Sequence, residues 1–286
     1  MQTGGKLILT FVLVLFGLGV FLALESFKVG RAQMVFCDVG QGDGFFITSS
    51  SGHAIVFDGG PSGKIVDCLD KHLPIWNRKI DVMVSTHPQQ DHMSGQIDIF
   101  SKYKVDKVIW TGVTNEAAFF NKWHKDLIDE KSQVFNLRRG DRVIVDDLTF
   151  EFLWPTSEEI EAWNADSKID LNDTSYVVRM TKGDFCAYLT GDAPKTILPF
   201  VISKPCELLK IAHHGSKTST DSFVLDRSSA KIAVIQVGKN NRYGHPNKEV
   251  IDALNEKHLQ ILRNDIEGDI RFYYDSVKKD MVRLEN

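Results

Sequence analysis

STHPQQDHMSG, residues 85–95, is the stretch from which the rest of the chain can be read. It follows an apolar run, Ile80 to Ser85, that reads as a strand, and it places His87, Asp91 and His92 in one turn-rich loop. A loop at the carboxyl end of a strand starts from a rigid point, so imidazole and carboxylate groups can be projected into a common pocket. Neutral imidazole nitrogen and carboxylate oxygen are the ligands that zinc and manganese take. The bland alternative is a set of surface histidines with an aspartate capping the next helix. Two further strand ends carry the same residue types. AYLTGDA (187–193) runs out into Gly191 and Asp192, and LLKIAHHGS (208–216) into His213 and His214. Of nine histidines, five (His87, His92, His213, His214 and His245) fall at predicted strand ends or in glycine-rich loops, the placement a metal site on rigid supports requires.

Outward from this stretch, short apolar runs bounded by Gly or Asp recur. Strands are expected over 33–39, 45–49, 54–60, 80–86 and 105–110, in a dense group between 133 and 192, and over 207–215, 231–238 and 259–264. Helices are expected over 62–73, near 94–102, over 115–130, and near 193–203, 219–228 and 246–257. Strands at both ends of the domain with helices interspersed favour a mixed α/β fold of two packed sheets with helices outside. No period of 20 to 50 residues and no low-complexity segment interrupts this pattern.

The composition, 43% hydrophobic and 25% charged, is that of an ordinary globular domain and excludes disorder, collagen and a polytopic membrane protein. The formal net charge is −4, and about −6 by counting for the part beyond the first 32 residues. An anionic substrate must therefore be held by a local site, not by a global field. Leu7 to Leu24 contains 18 residues and no ionisable group. As a helix it is ~27 Å long, enough to span a bilayer. Residues 1–32 are thus read as membrane anchor and linker and 33–286 as the folded domain. A cleaved signal peptide is the rival reading, but its apolar region is usually shorter, and LALESFKVG offers no A-x-A-like site. Lys6 and the amino terminus compete with Lys28 and Arg31 in setting orientation; an extracytoplasmic domain is expected. Cys37, Cys68, Cys186 and Cys206 match neither a zinc knuckle nor a dense disulfide framework. They read as small buried core residues, with disulfides as the alternative in an exported domain.

Seven segments appear in order: FCDVGQGDGFFI (36–47), FDGG (57–60), THPQQDHMSG (86–95), NDTSYVVRM (172–180), LTGD (189–192), LKIAHHGS (209–216) and YGHPN (243–247). In this the sequence resembles the metallo-β-lactamase fold, and within it the hydrolase domain attached to ComEC-type competence proteins, over roughly residues 33–275. The resemblance implies a four-layer αββα sandwich with a metal site at one edge of its two sheets, preceded here by the transmembrane helix. It implies His87, Asp91 and His92 as the ligands of an HxHxDH or HxDxDH motif, Asp192 as a bridging carboxylate and His214 as the closing ligand. His213 would then face substrate, although the sequence leaves open which of the pair binds metal. Asp38, Asp43 and Asp58 match positions that support the site, with turn formation as the other reading.

Gln89 departs from the pattern, standing where active relatives carry His or Asp. A neutral carboxamide is a poorer ligand, so the first metal position is weakened while the second, Asp91, His92, Asp192 and His214, is intact. The expected cofactor is a divalent ion, zinc or manganese, with one tight site and a weaker second one. Asn172, Ser175, Lys239 and Arg242 are expected to bind substrate, and Asp91, His213 and His245 to act at the reacting centre. The function implied is a membrane-anchored, metal-dependent hydrolase of a phosphodiester, DNA being the substrate the competence resemblance suggests. Hydrolysis of another ester, such as a phosphocholine ester or a lactone, is one alternative. A catalytically weakened scaffold or binding module, supported by Gln89, is the other.

Overall fold

The structure, a computed structural model, describes residues 2–26, 31–165 and 169–285. The strands are β1 (Gln33–Phe36), β2 (Gly44–Thr48), β3 (Ala54–Asp58), β4 (Lys79–Ser85), β5 (Lys104–Trp110), β6 (Gln133–Phe135), β7 (Arg142–Val145) and β8 (Leu148–Trp154). They continue as β9 (Val177–Lys182), β10 (Phe185–Leu189), β11 (Leu208–Lys210), β12 (Ile232–Ile235), β13 (Gln260–Arg263), β14 (Ile270–Asp275) and β15 (Asp280–Leu284). One eight-stranded sheet has the order β15-β14-β1-β2-β3-β4-β5-β6, and a seven-stranded sheet the order β13-β12-β11-β10-β9-β8-β7. The helices are α1 (Gln2–Ser26), α2 (Lys64–His72), α3 (Gln90–Lys102), α4 (Ala118–Glu130), α5 (Ser157–Ala165), α6 (Leu198–Val201), α7 (Ser222–Ser228), α8 (Lys248–Glu256) and α9 (Asn264–Glu267).

β2 and β3 are buried along their whole length because both faces of their sheet are covered, which is why they read as unbroken apolar runs. Alternate residues point inward: Phe45 stacks on Phe57 with ring centres 5.0 Å apart, and Phe57 meets Phe150 of the other sheet at 5.7 Å. The intervening residues Phe46 and Val56 face outward into a second core formed with α2, α3 and α4. A third core, including Leu198, Val224 and Leu254, lies under α6, α7 and α8. The layers are therefore helix, sheet, sheet, helix, the αββα sandwich expected from sequence. Each inner Phe stabilises the fold by about 1.5–3 kcal/mol through burial alone.

α2 forms because Ile65, Val66, Leu69 and His72 recur at helical spacing on its buried side. It stops at Leu73, whose extended backbone is what the following Pro74 demands. α3 starts four residues earlier than its periodicity suggests, with Asp91 in its first turn. Asp91 and His92 therefore stand on a helix start, not in a free loop, and the carboxylate there is favoured by the helix dipole. α3 lies close over the turn after β3: a Cβ on Gly95 would fall 1.9 Å from the Gly59 carbonyl oxygen.

Other expectations are revised. The helix near 193–203 is reduced to the four residues of α6, with proline in its first turn. The strand over 207–215 ends at Lys210, since His213 and His214 adopt left-handed backbone angles (φ 50° and 54°) in a 3₁₀ turn. α5, β14 and β15 have no counterpart in the sequence reading. The four cysteines are buried, as expected, but paired: Cys37–Cys68 and Cys186–Cys206 are disulfides with Cα separations of 5.9 and 5.0 Å.

Within α1 the described side chains are Lys6, residues 10–20 and Leu22, and the rest of the expected span Leu7–Leu24 lies outside the described side chains. Taken over the described residues, no helix is long and apolar enough to cross a membrane. The side chains of Phe11, Val12, Leu15, Phe16 and Leu22 are at least half exposed.

Candidate metal centre

The carboxyl ends of β3, β4, β10, β11 and β12 meet at one edge of the sandwich. Asp58, the last residue of β3, is buried with a left-handed backbone (φ 54°). Its Oδ1 accepts from the Thr86 backbone N–H at 2.8 Å, and its Oδ2 accepts from the Thr86 hydroxyl at 2.7 Å and lies 2.9 Å from His92 Nδ1. That partner holds the Nδ1 proton of His92 and turns Nε2 inward, to 3.2 Å from Asp192 Oδ2. Asp192 is reached through the sharp turn at Gly191, and its own backbone N–H donates to Ser175 Oγ at 3.1 Å.

His214 is oriented from the opposite side. Its Nδ1 is 2.9 Å from the Gln236 carbonyl and 3.2 Å from Asp43 Oδ1, which leaves Nε2 facing Asp91 Oδ2 at 3.4 Å and Asp192 Oδ2 at 3.5 Å. Lys210, fully buried, pairs with Asp43 and donates to the Gly191 carbonyl at 2.9 Å. One ammonium thus ties the loop before β2 to the turn that presents Asp192. The left-handed pair His213 and His214 costs about 1–3 kcal/mol per residue. It is held by His213 N–H to the Gly191 carbonyl (3.2 Å) and Ser216 N–H to the His213 carbonyl (2.8 Å).

Ligand atoms of Asp91, His92, Asp192 and His214 all lie within 4.8 Å of one another. His92 Nε2, His214 Nε2 and both Asp192 oxygens are buried and make no hydrogen bond. Leaving such atoms unsatisfied costs about 1–3 kcal/mol each. Two imidazole nitrogens and two carboxylates converging in this way are a donor set that fits a divalent zinc or manganese ion.

The electrostatics point the same way. Burial lowers the His214 pKa, but Asp192 and Asp43 outweigh it and push it up to about 10. His92 is likewise raised against burial by Asp192 and Asp58. Asp192 is held well below the carboxylate range despite burial, by His92 and His214. Asp91 is lowered too, by His214 and His92 acting against burial. Without an ion, protons on the two histidines stand in for its charge. His87 goes the other way. Burial, then the charge of His92, drive it down to about 3.

His87 is placed beside this quartet, not in it. Its ring centre is 4.1 Å from that of His92, its Nδ1 is 3.1 Å from Thr86 Oγ1, and its Nε2 is buried without a partner. Gln89 occupies the N-cap position of α3 without capping it. His213 lies outside the quartet, with Nε2 3.8 Å from Asp192 Oδ2 and its ring 5.6 Å from His245. His245 is lowered to about 4 by burial and by His213 and His214. Asp38 stands apart, its backbone N–H donating to Asp269 Oδ1 at 3.0 Å.

Of the expected substrate residues, Arg242 borders a cleft of about 490 Å³ that opens beside Asp91 and is also lined by Gln41, Gln90 and Tyr243. The Arg242 guanidinium lies 5.1 Å above the Tyr243 ring. Lys239 is exposed on the same loop but is not among the lining residues. Ser175 is buried and spent on Asp192, and Asn172 is half-buried in the turn Leu171–Thr174 with its Oδ1 unpartnered. Sequence reading passed over Lys210, Gln236, Thr86 and Tyr243. A lone lysine inside the apolar run LLKIA was the available signal, since a fully buried lysine is rare unless paired.

No family model matches the chain. The chain is 30% identical over 284 residues to ComE operon protein 3 of Bacillus subtilis, which covers 91% of this chain and 35% of that relative. It is 25% identical over 257 residues to competence protein ComA of Neisseria gonorrhoeae, covering 87% and 33% respectively. It therefore spans about a third of the length of these curated relatives. Among solved structures, the metallo-β-lactamase fold protein YhfI of Bacillus subtilis superposes with a TM-score of 0.58 at 14% identity, covering 85% of this chain and 99% of that one. By fold and by sequence together, the chain is a metallo-β-lactamase-fold protein related to the ComEC-type competence proteins.

Proposed function

We propose that the chain is a metal-dependent hydrolase of phosphodiesters, with DNA as a substrate. The observation that carries this reading is the set of buried His92 and His214 Nε2 atoms and Asp192 oxygens that make no hydrogen bond and converge with Asp91. Asp91, His92, Asp192 and His214 would hold a divalent ion, which when bound would supply Lewis acidity and a water of lowered pKa. Asp58 and the Asp43–Lys210 pair keep the two imidazoles in the tautomer that presents Nε2. Arg242, exposed in the adjoining cleft, binds an anionic phosphate oxygen. His213, at the open side of Asp192, holds a proton at Nε2 for the leaving oxygen. His245 orients the phosphate. DNA is favoured over other esters by the competence relatives.

His87, with Gln89 as its neutral neighbour, forms a weaker second metal position. We further infer that α1 anchors the chain in a membrane with the folded domain outside the cytoplasm. This rests on the 18-residue run Leu7 to Leu24 without a charge, on the exposure of the described α1 side chains, and on two disulfides, which persist in oxidising compartments.

The test is hydrolysis of bis-p-nitrophenyl phosphate and of single- and double-stranded DNA by the full chain loaded with manganese or zinc. Cleavage of both classes, lost on chelation, supports the reading. Cleavage of a lactone or phosphocholine ester with neither phosphodiester touched would redirect it to the alternative ester hydrolase.

A further inference from the structure

The end of the sandwich opposite the metal centre is set by strand register. Gln33 pairs with Thr48 and Thr48 with Ala54, and β14 leaves the sheet at the same end through Asp275, two residues beyond the partner of Gln33. The α2–β4 connection reaches this end too, with Pro74 and Trp76 facing Thr48, Ser51 and Gly52 across a shallow cleft. Trp76 is 55% exposed, and Val277, in the β14–β15 turn, is 90% exposed.

Cations accompany these apolar groups. Lys278 and Lys279 follow Val277, and the Arg31 guanidinium lies 5.8 Å above the Tyr273 ring. Acids are interspersed with them: Asp275 accepts from the Val277 and Lys278 backbone N–H groups and faces the charges of Lys278 and Arg31, Asp147 pairs with Lys182, and Asp184 and Asp280 line one hollow with Lys278 and Lys279, so this end carries mixed charge. β1 begins at Gln33, seven positions after α1 ends at Ser26. Seven residues reach at most ~25 Å when fully extended. The apolar helix therefore joins the fold at this end.

We propose that Trp76, the Val277–Lys279 turn and Arg31 form a membrane-contact face, seated in the headgroup region of the bilayer that holds α1. Trp prefers the boundary between hydrocarbon and water, and long cationic side chains beside an apolar tip extend to the same boundary. The consequence is directional: the metal centre, at the other end of the same strands, is held facing away from the bilayer. This inference rests on the reading of α1 as an anchor.

The full chain, reconstituted in phosphatidylcholine vesicles with and without phosphatidylglycerol, carries a nitroxide at Trp76→Cys, at Val277→Cys or at Ile266→Cys. Ile266 is the control: it is 69% exposed and apolar, but it follows β13 at the metal end. The ratio of oxygen to nickel-chelate accessibility is expected to be roughly twofold or more higher at positions 76 and 277 than at 266, with and without the anionic lipid. Equal, water-like ratios at all three positions, with the chain resisting an alkaline wash of the vesicles, would overturn the contact face and leave the anchor standing. Release of the chain by that wash would overturn both.

Discussion

His214 and His87 stand in one site, both buried, yet their neighbours drive them in opposite directions. His214 has Asp192 and Asp43 against it, which outweigh burial and push it up to about 10; His87 is driven down to about 3 by burial and then by the charge of His92. The difference teaches that a ligand set is defined by what stands behind each imidazole as much as by the imidazole itself. Asp58 and Asp43 are carboxylates placed to stabilise a cation beyond the ring of His92 and of His214. His87 has the Thr86 hydroxyl at Nδ1 in place of a carboxylate, and Asp192 and Asp91 do not offset its burial and the charge of His92.

The largest expected effect comes from Asp192→Ala, which removes the carboxylate shared by His92, His213 and His214. Metal affinity and phosphodiester hydrolysis should both fall by more than ~100-fold, beyond what loss of a supporting residue brings. Full metal stoichiometry in that variant, measured by elemental analysis after dialysis, would place the site elsewhere. Next is Asp58→Asn, which keeps the shape but not the charge behind His92. Its metal affinity should drop roughly 10–100-fold, while His87→Gln, which alters only the half beside the quartet, should leave tight binding within a few-fold. Comparable losses in the two variants would erase the contrast between the halves.

A smaller effect is the pH dependence of the metal-free protein. His214 has a folded pKa raised above its unfolded value of about 6.5. It contributes stability that is fully present below ~6.5 and is lost as pH rises through the folded value of about 10. His87, lowered to about 3, opposes folding as pH falls below ~6.5, because the unfolded chain then binds a proton that the native one does not. Metal-free His214→Gln should therefore lose part of its denaturation midpoint near pH 7 and less near pH 10, whereas His87→Gln should flatten the decline on the acid side. Unchanged pH profiles in both variants would mean that these neighbours do not act as described.

Much of this was legible in the sequence, and the reason is geometric. His87, Asp192, His213 and His214 follow strands that run to the same edge, so apolar runs ending in polar residues marked the site before any fold was known. Asp91 and His92 were found but misplaced in a loop, because the helix begins at Gln90 with polar residues that conceal its period. What supports the ligands was mostly illegible. Lys210 pairs with Asp43, 167 positions away in the chain, and Gln236 bridges to the Cys37 and Gly44 carbonyls from the other sheet. Such contacts exist only once two sheets are packed. The left-handed backbone of His213 and His214 has no sequence signature, since only a few per cent of non-glycine residues adopt it. The disulfides joined cysteines whose spacing carried no pattern, and they followed from the burial of Cys37 beside α2 and of Cys186 beside Cys206.

The central claim is that one ion is held tightly by Asp91, His92, Asp192 and His214, and that Gln89 keeps the neighbouring position weak. Equilibrium titration of manganese and zinc into the full chain and into Gln89→His and Gln89→Asp tests it most directly. The account predicts one tight ion per wild-type chain, a second that binds only at much higher concentration, and a second tight ion in both variants. Two equally tight ions in the wild type, or no gain of second-ion affinity in either variant, would contradict it.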